Sequence, residues 1–274
     1  MAGDAQGDAS GALRHFAREP FYLAHGDEIE VFTECHRQAV PVMLKGPTGC
    51  GKTRFVEHMA WRLGRPLVSV ACHDDLTASD LLGRYLIHGD DTVWQDGPLT
   101  RAVRAGAILY LDEVVEARQD TTVVIHPLTD HRRTLTLEKT GELIEAAPEF
   151  LLVISYNPAY QHALKDLKPS TRQRFAALLF DFPSPEHEAA VLAAESGIAR
   201  GLAMALVELA GRLRPLRDRG LPEAPSTRVL LAAARLMAAG IPERRACEVA
   251  IAAPLTDDPA LLATMNALIA GSFG

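Results

Sequence analysis

The sequence predicts an α/β fold: a parallel sheet built on a phosphate-binding P-loop and flanked by helices, with two β-hairpin insertions and a C-terminal all-helical lid domain. Three observations predict it. Gly46-Pro47-Thr48-Gly49-Cys50-Gly51-Lys52-Thr53 reads G-x-x-x-x-G-K-T, between the apolar run 40–44 and the helix-permissive run 54–63. Strand-length apolar runs then alternate with helical stretches as far as residue 182. From Pro185 onward the patterning is helical, with Pro, Ser or Asp opening the segments.

The loop carries the first chemistry. Its glycines let backbone amides approach an anion, and the helix that follows adds the positive end of its dipole. Lys52 supplies a cation for terminal phosphates, and the Thr53 hydroxyl is a ligand for Mg²⁺.

Composition narrows the class. Of 274 residues, 48% are hydrophobic and 23% charged, as in an ordinary globular protein. The net charge of −7 gives no sequence-wide pull toward nucleic acid, so that partner is disfavoured; Arg132-Arg133 beside the second hairpin is a local basic pair that keeps it open. Four scattered cysteines without a C-x-x-C pair read as buried thiols in a reducing cytosol, and ten histidines without H-E-x-x-H spacing give no protein metal site. No apolar run reaches the roughly 20 residues that span a bilayer. The start has no signal-peptide character. The chain is therefore read as cytoplasmic, with a flexible segment 1–20, a nucleotide-binding domain 21–183 and a helical lid 184–274.

In chain order, residues 28–38 form a helix with Ile29, Val31 and Phe32 inward, and Gly64 closes the helix after the loop. Residues 66–72 are a second strand. A helix capped by Thr77 or Ser79 is broken at Gly83 by a hairpin, 84–88 and 92–95, before helix resumes at Leu99. Residues 107–111 are a buried strand ending in Asp112-Glu113. Carboxylates there fall at the carboxyl edge of a parallel strand, where Asp112 holds Mg²⁺ through water and Glu113 polarises an attacking water. Residues 120–130 are partly helical, and Pro127 bends or ends the run. A second hairpin, 134–137 and 142–145, precedes the strand 150–155. Asn157 follows that strand, placed either to orient the lytic water or to start a turn before Pro158. In 165–175, Ser170 is expected as an N-cap, with Arg172 and Arg174 on different helix faces. A last strand covers 177–182. Ser184 and Ser226 cap helices, and Arg228 sits in a first turn where a cation is electrostatically unfavourable, which calls for an anionic partner.

Together these parts resemble the AAA+ ATPases, over nearly the whole chain. GPTGCGKT looks like Walker A, ILYLDE like Walker B, Asn157 like sensor 1, and Arg228 in PSTRVLL like sensor 2. Arg172 or Arg174 in STRQRF resembles the arginine finger, and the hairpins resemble the two insertions of the MoxR-type group. The strings ACHDDLTASDLLGRYL and LLVISYNPAY…LKDLKPSTRQRF are similar to the CbbQ/NorQ subfamily, closest to its CbbQ branch. The resemblance implies a hexameric ring using ATP and Mg²⁺ with a von Willebrand A-domain adaptor, and inhibited Rubisco as client, or alternatively maturation of nitric oxide reductase. It also implies a finger arginine supplied in trans, and Arg228 coupling γ-phosphate loss to lid rotation. Residues 71–79 lack the aromatic of threading AAA+ machines, which favours pulling over threading. A nucleotide-gated scaffold and a small-molecule kinase are the competing readings. Glu113, the helical lid with Arg228 and the hairpins argue against the kinase.

Overall fold

A computed structural model gives the fold of residues 11–89, 91–158 and 167–274. In order the elements are α1 (Glu28–Arg37), β1 (Val42–Lys45), α2 (Lys52–Arg62), β2 (Leu67–Ala71), α3 (Ala78–Leu82), β3 (Gly83–His88), β4 (Asp91–Asp96), α4 (Pro98–Ala105), β5 (Ile108–Asp112), α5 (Gln119–Val123), β6 (Thr134–Leu137), β7 (Glu142–Glu145), β8 (Leu151–Tyr156), α6 (Pro169–Arg172) and β9 (Ala176–Leu179). Then come α7 (Pro185–Ser196), α8 (Arg200–Leu213), α9 (Thr227–Ala238), α10 (Glu243–Cys247), α11 (Ala253–Leu255) and α12 (Pro259–Ser272), with a π turn, Glu248–Ala252, between α10 and α11.

Chain contacts divide the molecule into two compact units. The first comprises the described part of Met1–Pro20 with Gly26–Gly46 and Lys52–Phe180; the second comprises Phe21–His25, Pro47–Gly51 and Asp181–Gly274.

The first unit holds a five-stranded parallel sheet in the order β2-β5-β8-β1-β9. Strand alternation sends successive side chains to opposite faces. Met43, Val68, Leu109, Leu111, Leu152 and Ile154 join one core with Leu99, Ala102 and Val103 of α4. Tyr110 and Asp112 take the opposite face, where Thr53 of α2 meets them. Each fully buried Leu or Phe contributes roughly 1.5–3 kcal/mol, so this sandwich fixes the sheet firmly. Residues 11–20 are attached to it: Arg14 bridges Leu67 with backbone bonds of 2.9 Å in both directions, and the Gly11 carbonyl accepts from Arg101 at 2.9 Å.

Both hairpins form as separate two-stranded sheets, β3-β4 and β6-β7. The second is anchored, with Leu135, Leu137 and Ile144 in the core. The first stands proud: Tyr85, Ile87 and Val93 are exposed, Ile87 at 82%. The Tyr85 hydroxyl donates to the Lys139 carbonyl at 3.3 Å, tying the first hairpin to the turn of the second.

Several local expectations are corrected. In α1 the buried residues are Phe32 and Cys35, one turn apart, while Ile29 and Val31 are half-buried on the flanks of that stripe. Of the two caps expected for α3, Thr77 is the one that forms, through a capping box with Asp80. Ser170 is not an N-cap. Pro169 has its φ pre-set for the first helical position, so the cap falls on Lys168, and α6 ends at Arg172 with Arg174 beyond it. The strand expected to reach residue 182 ends at Leu179. Lys165 and Asp166 lie outside the described residues.

The second unit is helical. Ala189, Leu192, Leu206, Leu209, Leu213, Leu230, Ala234, Ile251, Met265 and Ile269 form its core. Ser184 accepts from the His187 amide at 3.4 Å, and Asp258 accepts from Ala260 and Leu261 at 2.8 and 2.9 Å, capping α7 and α12.

Candidate nucleotide-binding and catalytic site

In the first unit the site gathers at the carboxyl ends of β1, β5 and β8. Gly46 follows β1, and its amide donates to the Tyr156 carbonyl at 3.3 Å, which brings Asn157, the next residue, beside the start of the loop. Lys52 opens α2. It is 8% exposed, and its Nζ donates back to the Gly46 carbonyl at 2.9 Å, closing the loop from its far end. Thr53 Oγ1 lies 3.4 Å from Asp112 Oδ2.

Two groups absent from the sequence-based set orient Asp112. The Tyr110 hydroxyl donates to its Oδ1 at 2.7 Å, and the Ser155 hydroxyl donates to the same oxygen. Ser155 also accepts from the Glu113 amide at 3.0 Å. Both Tyr110 and Ser155 are fully buried. Burial, reinforced by the Asp112 charge, raises the Tyr110 phenol above its usual range, so it stays a neutral donor. Sequence signals for both existed. Tyr110 shares Asp112's face at a spacing of two, and Ser155 is the lone small hydroxyl in an apolar strand. Cys72 closes the neighbouring strand end, its amide donating to the Asp112 carbonyl at 2.9 Å. Its thiol is pushed up to about 12 by burial, with Asp112 and Glu113 adding to the effect.

Glu113 adopts left-handed geometry, φ 55° and ψ 47°, and is exposed. For a non-glycine residue this costs about 1–2 kcal/mol. The bond from its amide to Ser155 holds the turn that lifts the carboxylate off the strand end.

Arg172 and Arg174 are half-buried. Arg172 Nε donates to the Leu167 carbonyl at 2.9 Å. Arg174 donates to Asp130 Oδ2 at 3.3 Å and to the His126 carbonyl at 3.4 Å. The Asp130 carboxyl is held below the usual range, first by Arg132 and also by Arg174. Arg133 donates to the carbonyls of Ala147 and Phe150 at 3.2 and 2.9 Å, so the Arg132-Arg133 pair is committed within the fold.

In the second unit the loop apex, Pro47-Thr48-Gly49-Cys50-Gly51, meets the start of α9. Gly49 and Gly51 take φ values of 73° and 103°, which fold successive amides into an anion-binding concavity. A Cβ on Gly49 would lie 2.5 Å from Ser226 Oγ and 3.4 Å from Arg228 Cβ, so only glycine fits there. Ser226 occupies the N-cap position of α9, but its side chain makes no cap bond, contrary to expectation. Arg228 is exposed, and among the described residues it makes no ion pair or hydrogen bond. No group of three or more metal-ligating side chains gathers among the described residues, and no described helix is long and apolar enough to cross a membrane. All four cysteines are free and buried.

Comparison with known proteins agrees with this architecture. Residues 41–175 match the AAA domain of the dynein-related subfamily, and residues 188–272 match the C-terminal domain of CbbQ, NirQ and NorQ. The chain is 62% identical to the denitrification regulatory protein NirQ of Pseudomonas aeruginosa, over 91% of this chain and 96% of that protein. It is 60% identical to CbbQ of Hydrogenophilus thermoluteolus, over 91% and 93%, and 60% identical to NorQ of Paracoccus denitrificans, over 93% and 94%. A crystal structure of a candidate ATPase from Cytophaga hutchinsonii shares the fold, with a TM-score of 0.51 at 17% identity over 79% of this chain and 75% of that one. A nucleotide-binding AAA domain joined to this C-terminal domain, at 60% identity along the chain, makes the protein a member of the CbbQ/NirQ/NorQ family of MoxR-type AAA+ ATPases.

Proposed function

We propose that the chain hydrolyses Mg-ATP and uses the energy to remodel a protein client. The observation that carries this reading is the Thr53–Asp112 pair at the mouth of a complete P-loop, a hydroxyl and a carboxylate 3.4 Å apart. They are hard oxygen donors of the kind that share Mg²⁺ with a triphosphate and waters, so the residues fit the ion. Thr53 and Asp112 would hold Mg²⁺, which would supply positive charge opposite the terminal phosphates. The loop is one continuous run of chain, so the amides of residues 46–51, Lys52 and Thr53 address the same triphosphate. Tyr110 and Ser155 fix the Asp112 carboxylate. Glu113, exposed at its strained turn, takes a proton from the attacking water, and Asn157 orients that water. Arg228 meets the γ-phosphate from the loop apex, which supplies the anion that it lacks among the described residues.

The finger is Arg172 or Arg174 acting on the nucleotide of a neighbouring subunit in a ring, expected to be a hexamer. The exposed apolar tip of the first hairpin is the surface offered to a von Willebrand A-domain adaptor or client. Inhibited Rubisco is the proposed client, as for a CbbQ-type member. Maturation of nitric oxide reductase is the second reading, favoured by the equal similarity to NorQ. ATPase turnover of the purified chain, with Mg²⁺ or EDTA and with each client–adaptor pair, tests all of this. Stimulation by one pair names the client. Mg²⁺-independent or absent turnover overturns the ATPase reading, and turnover that ignores both pairs leaves a nucleotide-gated scaffold.

A further inference from the structure

We propose that Arg214 and Thr227, gathered on the buried carboxylate of Glu188, are a positioning device for Arg228, holding the first turn of α9 against the loop apex so that the protein distinguishes triphosphate from diphosphate. The proposal rests on the reading of Arg228 as a γ-phosphate contact.

Glu188, in the first turn of α7, is completely buried. Both its oxygens accept from Arg214, at 2.7 and 2.9 Å, and Oε1 also accepts from the Thr227 hydroxyl at 2.7 Å. Arg214 Nε donates to the Pro225 carbonyl at 3.2 Å, and its guanidinium lies 4.2 Å from the centre of the Phe182 ring. The cluster therefore grips the residue on either side of Ser226. Ser226 is the residue whose hydroxyl lies against Gly49 instead of capping its own helix.

Two physical points separate this from ordinary packing. A buried carboxylate pays a desolvation penalty of several kcal/mol, and apolar residues of similar volume often stabilise a fold as well as the ion pair does. What the cluster adds is direction: its four hydrogen bonds and the guanidinium over the Phe182 ring fix the rotation and depth of α9's first turn, which carries Arg228. The second point is electrostatic. Arg228 sits at the positive end of its helix and has no partner among the described residues, so its position is held by its backbone, not by its own side-chain bonds. Whatever holds that backbone sets the reach of the guanidinium.

The test is equilibrium binding of ATPγS and ADP to the full chain, measured for Thr227→Val, Glu188→Gln, Arg228→Ala and the Thr227→Val/Arg228→Ala double variant, with melting temperatures alongside. Each single variant is expected to weaken ATPγS about tenfold and ADP by no more than about twofold, and the double variant to be no weaker than Arg228→Ala alone. Equal losses for both nucleotides, no loss, or full additivity with Arg228→Ala overturns the positioning role. If Glu188→Gln fails to fold, Thr227→Val, which removes only a hydroxyl, decides the matter. An Arg228→Ala variant that binds ATPγS normally refutes the underlying reading of Arg228 itself, and the device with it.

Discussion

The hydroxyl of Tyr110 donates to Oδ1 of Asp112 at 2.7 Å, from two residues earlier in the same strand. Strand alternation puts the two side chains on one face, and burial keeps the phenol protonated, so the tyrosine holds the carboxylate while its other oxygen faces Thr53.

Tyr110→Phe should therefore act through the metal. Losing one buried hydrogen bond costs about 1 kcal/mol, which corresponds to roughly a fivefold rise in the Mg²⁺ concentration for half-maximal turnover, with ATP binding in excess Mg²⁺ little changed. A Mg²⁺ titration of turnover checks it, and an unshifted midpoint removes Tyr110 from the site.

Glu113→Gln keeps shape and turn but removes the base. Nucleotide affinity should persist while turnover falls about 10²-fold or more. Unchanged turnover would take Glu113 out of its role.

Arg172→Ala and Arg174→Ala separate the finger candidates. At least one should lose turnover while still binding nucleotide, by about 10³-fold or more if it acts as trans arginines do in GTPases. Mixing that variant with Lys52→Ala subunits should restore activity, since each supplies what the other lacks. An Asp130→Ala control follows from the 3.3 Å pair: it should disturb Arg174 and leave Arg172 unaffected. Activity in the double Arg172→Ala/Arg174→Ala variant would end the finger assignment.

Cys72 and Cys247 are both pushed up to about 12, chiefly by burial. At pH 8 in the folded protein they should resist maleimide, and denaturant should expose all four thiols to it. Rapid labelling of Cys72 in the native state, read by peptide mass mapping, would contradict the packed strand end.

His36 and His126 are held below their ordinary value of 6.5, first by burial. The unfolded chain therefore binds more protons than the folded one just below that value. Stability should be full above pH 6.5 and decline as the pH falls past it, as each half-buried imidazole is forced to charge. Melting temperature from pH 7.5 to 5.5 measures this, and His36→Gln should flatten part of the slope. An unchanged slope in that variant would rule out the His36 contribution.

By itself the sequence determined the features whose cause lies within a few residues. The P-loop, the strand ending in Asp112-Glu113, both hairpins and the helical run from Pro185 were legible because turn chemistry, periodicity and capping act locally. Local reading failed where two local signals competed, as at Ser170, where Pro169 moved the helix start, and at Ser226, whose hydroxyl turned to Gly49. Tertiary structure alone decided the order β2-β5-β8-β1-β9, the approach of Ser155 to Asp112 from the neighbouring strand, the Arg174–Asp130 pair and the Glu188–Arg214–Thr227 grip on α9. Most of those partners are tens of residues apart, from 26 for Arg214 and Glu188 to 44 for Arg174 and Asp130. Spacing along the chain carries no trace of such pairs. Packing the sheet and the helical core brings them together, and a buried charge or hydroxyl then takes whatever partner the fold delivers.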